Sequence, residues 1–588
     1  MAETVSDFLV QRLSQWGVRR IYGYPGDGIN GFIGALDRAD GKIDFIQPRH
    51  EEAAAFMACG HAKFTGEVGV CMGTSGPGSV HLLTGLYDAK ADHQPVVAIC
   101  GQKQRAALGS DFQQEVDLLA LFRDVASEFI EIVTVPAQLR HVVDRAFRIA
   151  LSRRTPTCIV LPSDVQELPY AQPRHEHGTA HSGPGYHAPV VVPAPEDLER
   201  AASVLNAGQR VAMLIGAGAS AAGNEVLEVA DRLGAGIAKA LLGKPALPDT
   251  IPYVTGGIGL LGTRPSYALM RDCDTLLMVG SGFPYVEFLP EEGQARGVQI
   301  DIEARMLSLR YPMEVNLVGD SAGTLRALLP LLEPKPENRW RRTIQRNVAE
   351  WWRTLEKRAM NAADPVNPQR VFWELSPRLP PDVMLACDTG TCAHWYSRDL
   401  KLRAGMQAAH SGGLASMGAA MPYALAAKFA CPDRPVIAMV GDGAMQMNGL
   451  NELITLAKYW RGWADPRFVV LVLNNRDLNM VTWEQRVLEG DPKFPDSQEL
   501  PDFSYAGYAR LLGMEAFLID APDRVVPSLD AALASQRPAL VEVYADPNVP
   551  PLSPHTTAKQ ARHYLLALMR GDPDAAKVVR ASAKELFT

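Results

Sequence analysis

Short apolar runs recur along this chain, each stopped by glycine, proline or asparagine and followed by apolar positions at helical spacing. Residues 436–440 are one such run, and it stops at Gly441-Asp442-Gly443. Leu450, Leu453, Ile454 and Ala457 then mark the apolar face of a helix, and residues 468–473 form a second run that stops at Asn474-Asn475. A strand, a crossover helix and a strand predict two parallel, neighbouring strands. The front of the chain repeats the pattern. Val5, Phe8, Leu9 and Leu13 predict an opening helix, residues 20–23, 43–46, 68–72 and 95–100 predict strands, and alanine-rich residues 53–63 predict a helix between them. Residues 211–215 open a second series and residues 383–387 a third. The expected class is α/β, with parallel sheets covered by helices on both faces. Residues 168–199 are rich in Pro, Gly and His without a period and predict a linker. Residues 333–361, charged and tryptophan-bearing, predict a solvated connecting helix.

The first series of turns already suggests chemistry. Asp442 and Asn475 fall at the carboxyl ends of two parallel strands, where open α/β sheets bind ligands. One carboxylate and one amide oxygen suit a hard cation such as Mg²⁺, which keeps part of its octahedron for phosphate oxygens. The helix after Gly443 aims free N–H groups at the same place, so a diphosphate is the expected ligand. Each dipeptide alone is an ordinary turn; the two together, one crossover apart, favour a site.

Composition narrows the class. With 588 residues the chain is too long for one core and suggests about three domains. A net charge of −8 excludes an electrostatic case for nucleic acid. The eight cysteines are scattered without metal-ligand spacing and read as core thiols of a reducing compartment. The acidic, helical start differs from a signal peptide, and no run reaches the length of a membrane span, so a cytoplasmic location is expected.

The GDG at 441–443 followed by NN at 474–475 resembles the cofactor fingerprint of thiamine diphosphate enzymes. The resemblance implies Mg²⁺ held by Asp442, Asn475 and the backbone oxygen of Asp477, with Gly443 and Ala444 beside the diphosphate. The segment RHEEAAAFMACGHAKFTGEVGVCMGTSGPGSVHLLTGLYDA resembles the pyrimidine-binding domain of the same family. It implies that Glu51 bonds the cofactor's pyrimidine nitrogen and starts its activation. In this family that glutamate and the metal site come from different subunits, which implies a homodimer at least and commonly a homotetramer. Gln114 and Glu115 align with a Phe-Gln-Glu segment near the substrate, with Phe112 one step early. Gly390 and Thr391 stand where diphosphate contacts begin. In Ser411 to Gly418, Met417 maps to an apolar wedge under the cofactor, beside Ser416, and Ala415 replaces a commoner Gly whose carbonyl is used. Leu478-Asn479-Met480-Val481 replaces a usual x-Gly-Met/Phe-Val, and Asn479 is expected to take the glycine's positive φ. Met480 and Glu484 are candidates to face the substrate.

The middle series resembles the FAD-binding domain of pyruvate oxidases in order and spacing. Gly216 and Gly218 form its first turn; Ile258, Gly259, Leu260 and Leu261, then Ser281, Gly282, Phe283, Pro284 and Tyr285, are implied to run along the flavin nucleotide. Asp301 is implied to bond the ribose. Acetolactate synthases usually show a Phe-Asp-Asp-Arg type segment in place of Phe283-Pro284-Tyr285. The resemblance thus predicts three doubly wound parallel-sheet domains: 1–170 for the pyrimidine, 190–335 for FAD, and 365–548 for the diphosphate and Mg²⁺. A tail, 549–588, follows; its balanced charge favours packing or solvation over membrane binding. The expected activity is oxidative decarboxylation of pyruvate or a related 2-oxo acid, of the pyruvate oxidase or quinone-linked pyruvate dehydrogenase type, with oxygen or a quinone as electron acceptor. The alternatives are an acetolactate synthase-like transferase with structural FAD, another thiamine diphosphate-dependent decarboxylase, or a silent scaffold.

Overall fold

The computed structural model describes residues 3–335, 338–551 and 553–587. Strands β1 (Arg20–Gly23), β2 (Asp44–Ile46), β3 (Gly69–Gly73), β4 (Val96–Gln102), β5 (Ile130–Ile132) and β6 (Pro156–Pro162) form the first sheet, in the order β2-β1-β3-β4-β6-β5. Strands β7 (Val211–Ile215), β8 (Gly236–Lys239), β9 (Val254–Gly257), β10 (Thr275–Val279), β11 (Arg296–Asp301) and β12 (Val315–Val318) form the second. Its order, β12-β11-β10-β7-β8-β9, is the dinucleotide-binding order 3-2-1-4-5-6 read from the other edge. Strands β13 (Met384–Cys387), β14 (Gln407–His410), β15 (Val436–Gly441), β16 (Phe468–Asn474), β17 (Glu515–Ile519) and β18 (Ala539–Tyr544) form the third, in the order of the first. Every pairing is parallel, and β15 lies directly against β16, with Gly441 opposite Leu473. The three-sheet α/β reading holds.

The first and third sheets share one core. The helix Glu51–Thr65 is buried on nearly all sides, and its alanines let it approach the helix Ala420–Ala430 closely. A methyl group on Gly60 would lie 2.9 Å from Tyr423, so this crossing tolerates no larger residue. His50 Nδ1 accepts the N–H of Glu52 at the helix start, and Gly66, at φ 75°, ends it in the left-handed region.

Three expectations need correction. The linker is shorter than residues 168–199, because the helix Pro195–Ala207 takes its end, starting on a proline whose φ suits that position. The helix Arg339–Ala359 is not merely solvated; it buries Ile344, Val348, Trp351 and Leu355. On the helix Leu450–Tyr459, Ile454 is exposed while Glu452, Thr455 and Leu456 are buried, because that face meets the first sheet's loops and not a purely apolar layer. The tail packs as two helices, Ala558–Met569 and Ala575–Phe587. Among the described residues no helix is long and apolar enough to cross a membrane. All eight cysteines are free thiols and seven are buried, in agreement with their reading as core residues.

Candidate active site

In the third sheet the strand order reverses between β13 and β15, and the loops at their carboxyl ends flank an open crevice. A methyl group added to Gly390 (φ 82°) or Gly441 would meet nothing within 4 Å. Thr391 opens the helix Thr391–Arg398 beside that space, its first N–H groups unclaimed by any side-chain cap. Asp442, 3% exposed, stands at the end of β15 and accepts backbone N–H groups from Gly443 and Asn475 at 2.9 and 2.8 Å. Among the described residues no Lys or Arg pairs with it, and burial pushes its carboxyl up to about 7 despite the N–H donors from Arg476, Gly443 and Asn475. A buried carboxylate lacking a cation, facing open space, fits a metal. Asn475 Oδ1 accepts the N–H of Asp477 at 3.1 Å. The Asp477 carboxylate is taken by Thr482, Asn479 and Lys493, which leaves its backbone oxygen as the group a cation could use.

The loop carrying Ala415, Ser416 and Met417 closes over this crevice. Met417 Sδ lies 3.9 Å from where a methyl on Gly443 would stand, which puts this side chain beside the GDG turn. Ala415 has φ 56°, the left-handed conformation, at a cost of roughly 1–2 kcal/mol for an L-residue. That is the physical reason a glycine is commoner here. Asp388, at the end of β13, pins the far end of the loop by accepting the N–H groups of Gly418 and Ala420 at 3.0 Å. His410, at the end of β14, donates Nδ1–H to the carbonyl of Cys387 at 3.0 Å, and burial pulls its pKa down to about 4. An unfolded imidazole titrates near 6.5, so between those values the unfolded chain binds more protons than the folded one. Stability therefore falls as pH drops from about 6.5 to 4, by up to roughly 1.4 kcal/mol per pH unit from this group. Chemical denaturation across this range is expected to show the slope in the wild type and less of it in His410→Gln.

Glu51 starts its helix 8% exposed, and His81 donates Nδ1–H to its Oε2 at 3.0 Å. The His50 ring lies tilted against that of His81, with ring centroids 4.4 Å apart and an interplanar angle of 31°, and ligand-type atoms of His50, Glu51 and His81 lie within 4.8 Å of one another. Gln114, at φ 62°, folds onto the turn at Ser75 and Gly76: its Oε1 accepts the hydroxyl of Ser75 at 3.2 Å, and its side chain packs on Gly76. Glu115 instead caps Gly109 and Phe112, and Phe112 is exposed. The third sheet's helix grips this segment from outside, through Glu452 to the N–H of Arg49 at 3.0 Å and Asn448 to Glu52 at 3.2 Å. Among the described residues, no hydrogen bond or ion pair joins Glu51 to Asp442, Asn475 or Asp477.

Of the residues after Asn475, Asn479 departs from expectation. It is the first residue of the helix Asn479–Glu484, and the positive φ falls on Arg476, at 56°. Its amide is spent on Asp477 and the carbonyl of Pro547. Leu478 covers Gly443, Met480 is half-buried, and Val481 and Glu484 are exposed.

The second sheet places its two glycine turns at its own point of strand reversal, between β7 and β10. Gly216 and Gly218 lie so close to Gly280 and Ser281 that a methyl on either would meet backbone at 2.8 Å or less. Gly259, at φ 98°, rides over the buried ring of Phe283, 3.0 Å from where its methyl would be, and Tyr285 stands exposed beside it. Asp301 ends β11 with burial raising its carboxyl above the usual range, and His93 of the first sheet's loops faces it. A crevice with glycines at the reversal point and a carboxyl at a neighbouring strand end fits a dinucleotide. Leu242 packs against Gly412, which sets this region against the Ala415 loop of the same chain.

Sequence reading did not single out Lys63, Asp88, Asp92, Asp388, His81 or Glu452 for any role. Each acts on a partner far along the chain, so no local period marks it; buried charge at a domain seam would be the signal, and burial is not in the sequence.

Comparison with known proteins agrees with this geometry. The chain matches the thiamine pyrophosphate enzyme N-terminal TPP binding domain over residues 3–121, the central domain over 198–328 and the C-terminal TPP binding domain over 388–543. It is similar to the Bacillus subtilis protein YdaP, whose name assigns it thiamine pyrophosphate provisionally, at 34% identity over 100% of both chains. It is also similar to the pyruvate oxidase of Lactiplantibacillus plantarum, at 29% identity over 91% of this chain and 87% of that one. The acetolactate synthase isozyme 3 large subunit of Escherichia coli is 30% identical over 90% of this chain and 92% of its own. With all three domain types matched in order and a full-length relative above 30% identity, the chain belongs to the thiamine pyrophosphate-dependent enzyme family.

Proposed function

We propose that the chain is a thiamine diphosphate- and FAD-dependent oxidase of pyruvate or a related small 2-oxo acid, working as a homodimer or homotetramer. The observation that carries the oxidase reading is the middle crevice: strand order 3-2-1-4-5-6, a glycine pair at its reversal point, and Phe283 under Gly259. Its packing through Leu242 on the loop of Ala415 and Met417 supports a flavin near the thiamine site.

Asp442, Asn475 and the backbone oxygen of Asp477 would hold Mg²⁺, and Gly390, Thr391, Gly443 and Ala444 the diphosphate. Thiamine diphosphate, when bound, supplies an electron sink for decarboxylation, and FAD supplies a two-electron acceptor. Glu51 holds a proton at the pyrimidine nitrogen of the cofactor of a neighbouring subunit, oriented by His81. Met417 would pack against the bound cofactor and help to orient it, and the backbone carbonyl of Ala415 would offer it a hydrogen-bond acceptor. Gln114 offers an amide to the substrate, and Met480 gives the pocket an apolar wall that excludes water. Glu484, exposed in the single chain, would meet substrate only across an assembled interface. Gly216, Gly218, Ile258, Gly259, Leu260, Leu261, Ser281, Gly282, Phe283, Pro284, Tyr285 and Asp301 would line FAD.

The test is anaerobic addition of pyruvate and other 2-oxo acids to the flavin-loaded protein. Flavin absorbance is expected to bleach and to return with oxygen or a quinone. A transferase, the reading that Met480 and the similarity to acetolactate synthases support, would turn over without bleaching and without an electron acceptor.

A further inference from the structure

A pair of carboxylates on the first sheet's helix Leu83–Ala91 and its end reaches into the third sheet's cofactor loop. Asp92 Oδ1 accepts the N–H of Gly413 at 2.6 Å and its Oδ2 that of Gly412 at 3.0 Å. Asp88 Oδ1 accepts the hydroxyl of Ser411 at 2.6 Å, and the same hydroxyl oxygen accepts the N–H of Ser416 at 3.0 Å. Lys63 Nζ stands 2.5 Å from Asp92 and 2.6 Å from the carbonyl of His410. Tyr423 donates its hydroxyl to Asp88, and Cys59 lies 3.4 Å from both. Asp88, Asp92 and Ser411 are 0%, 4% and 1% exposed, so these bonds form out of water, where charge-assisted bonds to N–H groups are strongest. Burial raises the Asp92 carboxyl, but Lys63 and the two glycine N–H groups outweigh it and hold it below the usual range; Asp88, which lacks a direct cation, is raised by burial.

What the cluster holds is a strained backbone. Leu414 and Ala415 are exposed in the single chain, and Gly413 lies close against Ala91, so the hydrogen bonds to Asp92 and Asp88 act where side-chain packing on Ala415 itself is slight. Ala415 nevertheless keeps φ 56°, and such strain persists only where the surroundings over-determine it. Asp388 pins the loop after Met417; before Ala415 the anchors are Asp92 and Asp88.

We propose that Asp92, seconded by Asp88 and Ser411, is a positioning residue for the cofactor. It holds the backbone of Ala415 and Met417 in its own chain, while Glu51 of the same first unit serves the neighbouring subunit. One first unit would then equip two different active sites. The inference rests on the proposed thiamine diphosphate roles of Ala415, Met417 and Glu51.

The test uses the full-length protein stripped of cofactor, with Asp92→Asn. That change keeps the size but removes one acceptor and the charge facing Lys63. Amides of residues 411–418 are expected to exchange hydrogen faster by about tenfold or more, with strand Val436–Gly441 unchanged, and affinity for thiamine diphosphate plus Mg²⁺, followed by tryptophan fluorescence, to fall by about tenfold or more. Ser411→Ala, which removes only the loop's own hydroxyl and leaves Lys63 paired, is expected to show the same pattern at about threefold, and it decides the matter if Asp92→Asn does not fold. Co-expressed chains, one with Asp92→Asn and one with Glu51→Gln, are purified as mixed assemblies by two tags. They are expected to recover activity, because one site then has both an intact loop and an intact glutamate. Unchanged loop exchange and cofactor affinity in both variants, or no recovery in mixed assemblies, would overturn the proposal. Exchange and affinity do not depend on the oxidase reaction, so they stand if the enzyme proves a transferase. A wild type that does not bind thiamine diphosphate would sink the parent reading instead.

Discussion

Glu51→Gln is expected to lower turnover by about 10²–10⁴-fold, the usual scale for loss of a positioned acid–base group, with little change in folding. The competing explanation of this residue is electrostatic: an acid in the first turn of a helix is stabilised by the macrodipole, worth roughly 0.3–1 kcal/mol. The two accounts differ sharply in size and in kind. A macrodipole role predicts a slightly lower melting temperature and unaltered turnover. A proton-holding role predicts the reverse, because glutamine keeps the hydrogen-bonding shape toward His81 but has no proton to share. The setting favours the second. Glu51 is nearly buried, is oriented by His81, and its carboxylate lies against Gly78 of the turn after the Gly69–Gly73 strand, away from bulk water. Measuring kcat and thermal midpoint on the same preparation separates the accounts, and unaltered kcat would dismiss the mechanism proposed for this enzyme.

Asp572→Ala is expected to destabilise the docked tail by about 3–5 kcal/mol, because it strands a buried guanidinium. Arg486 Nε and Nη2 meet the two oxygens of Asp572 at 2.7 and 2.9 Å, and the side chains are 1% and 0% exposed. Asp572 also accepts the N–H groups of Lys493 and Asp574. Asp574 lies 3.5 Å from Arg486, too far to replace the bidentate pair. Arg486 follows directly on the helix that carries Met480 and Glu484, and Trp483 of that helix stacks on Tyr564 of the tail. Loosening should therefore appear as faster hydrogen exchange and earlier proteolysis across residues 558–587 before the sheets unfold. The neighbouring pair Arg570–Asp491 is the control. Both partners are 54% exposed, so Asp491→Ala should cost no more than about 1 kcal/mol. Equal costs for the two variants would mean that desolvation is not what makes the buried pair matter.

What could be read in the sequence was whatever is local. The apolar runs at 436–440 and 468–473 located β15 and β16 to within a residue, since a fully buried parallel strand is a continuous apolar run bounded by turn residues. Their turns marked Asp442 and Asn475, because a strand's end is also where its sheet binds ligands. Glu51 stood out through the motif around it. Side-chain period served less well wherever a helix meets polar loops: Ile454 was expected inside, yet Glu452 and Thr455 took that place because Arg49 offers an N–H to Glu452.

The tertiary structure decided everything that depends on partners distant in sequence. It moved the positive φ from Asn479 to Arg476, where the turn after β16 needs it. It revealed that Ala415 carries strain, and that the carboxylates answering for that loop are Asp88 and Asp92, more than three hundred residues earlier. It turned a tail of balanced charge into two helices anchored by ion pairs such as the buried Arg486–Asp572. The division has one cause. Local order follows from the period of apolar residues and from turn chemistry, both written in adjacent residues. A buried hydrogen bond or ion pair is set by which surfaces meet, and only the folded chain brings the Val436–Gly441 strand, the Ala415 loop and Asp92 into one place.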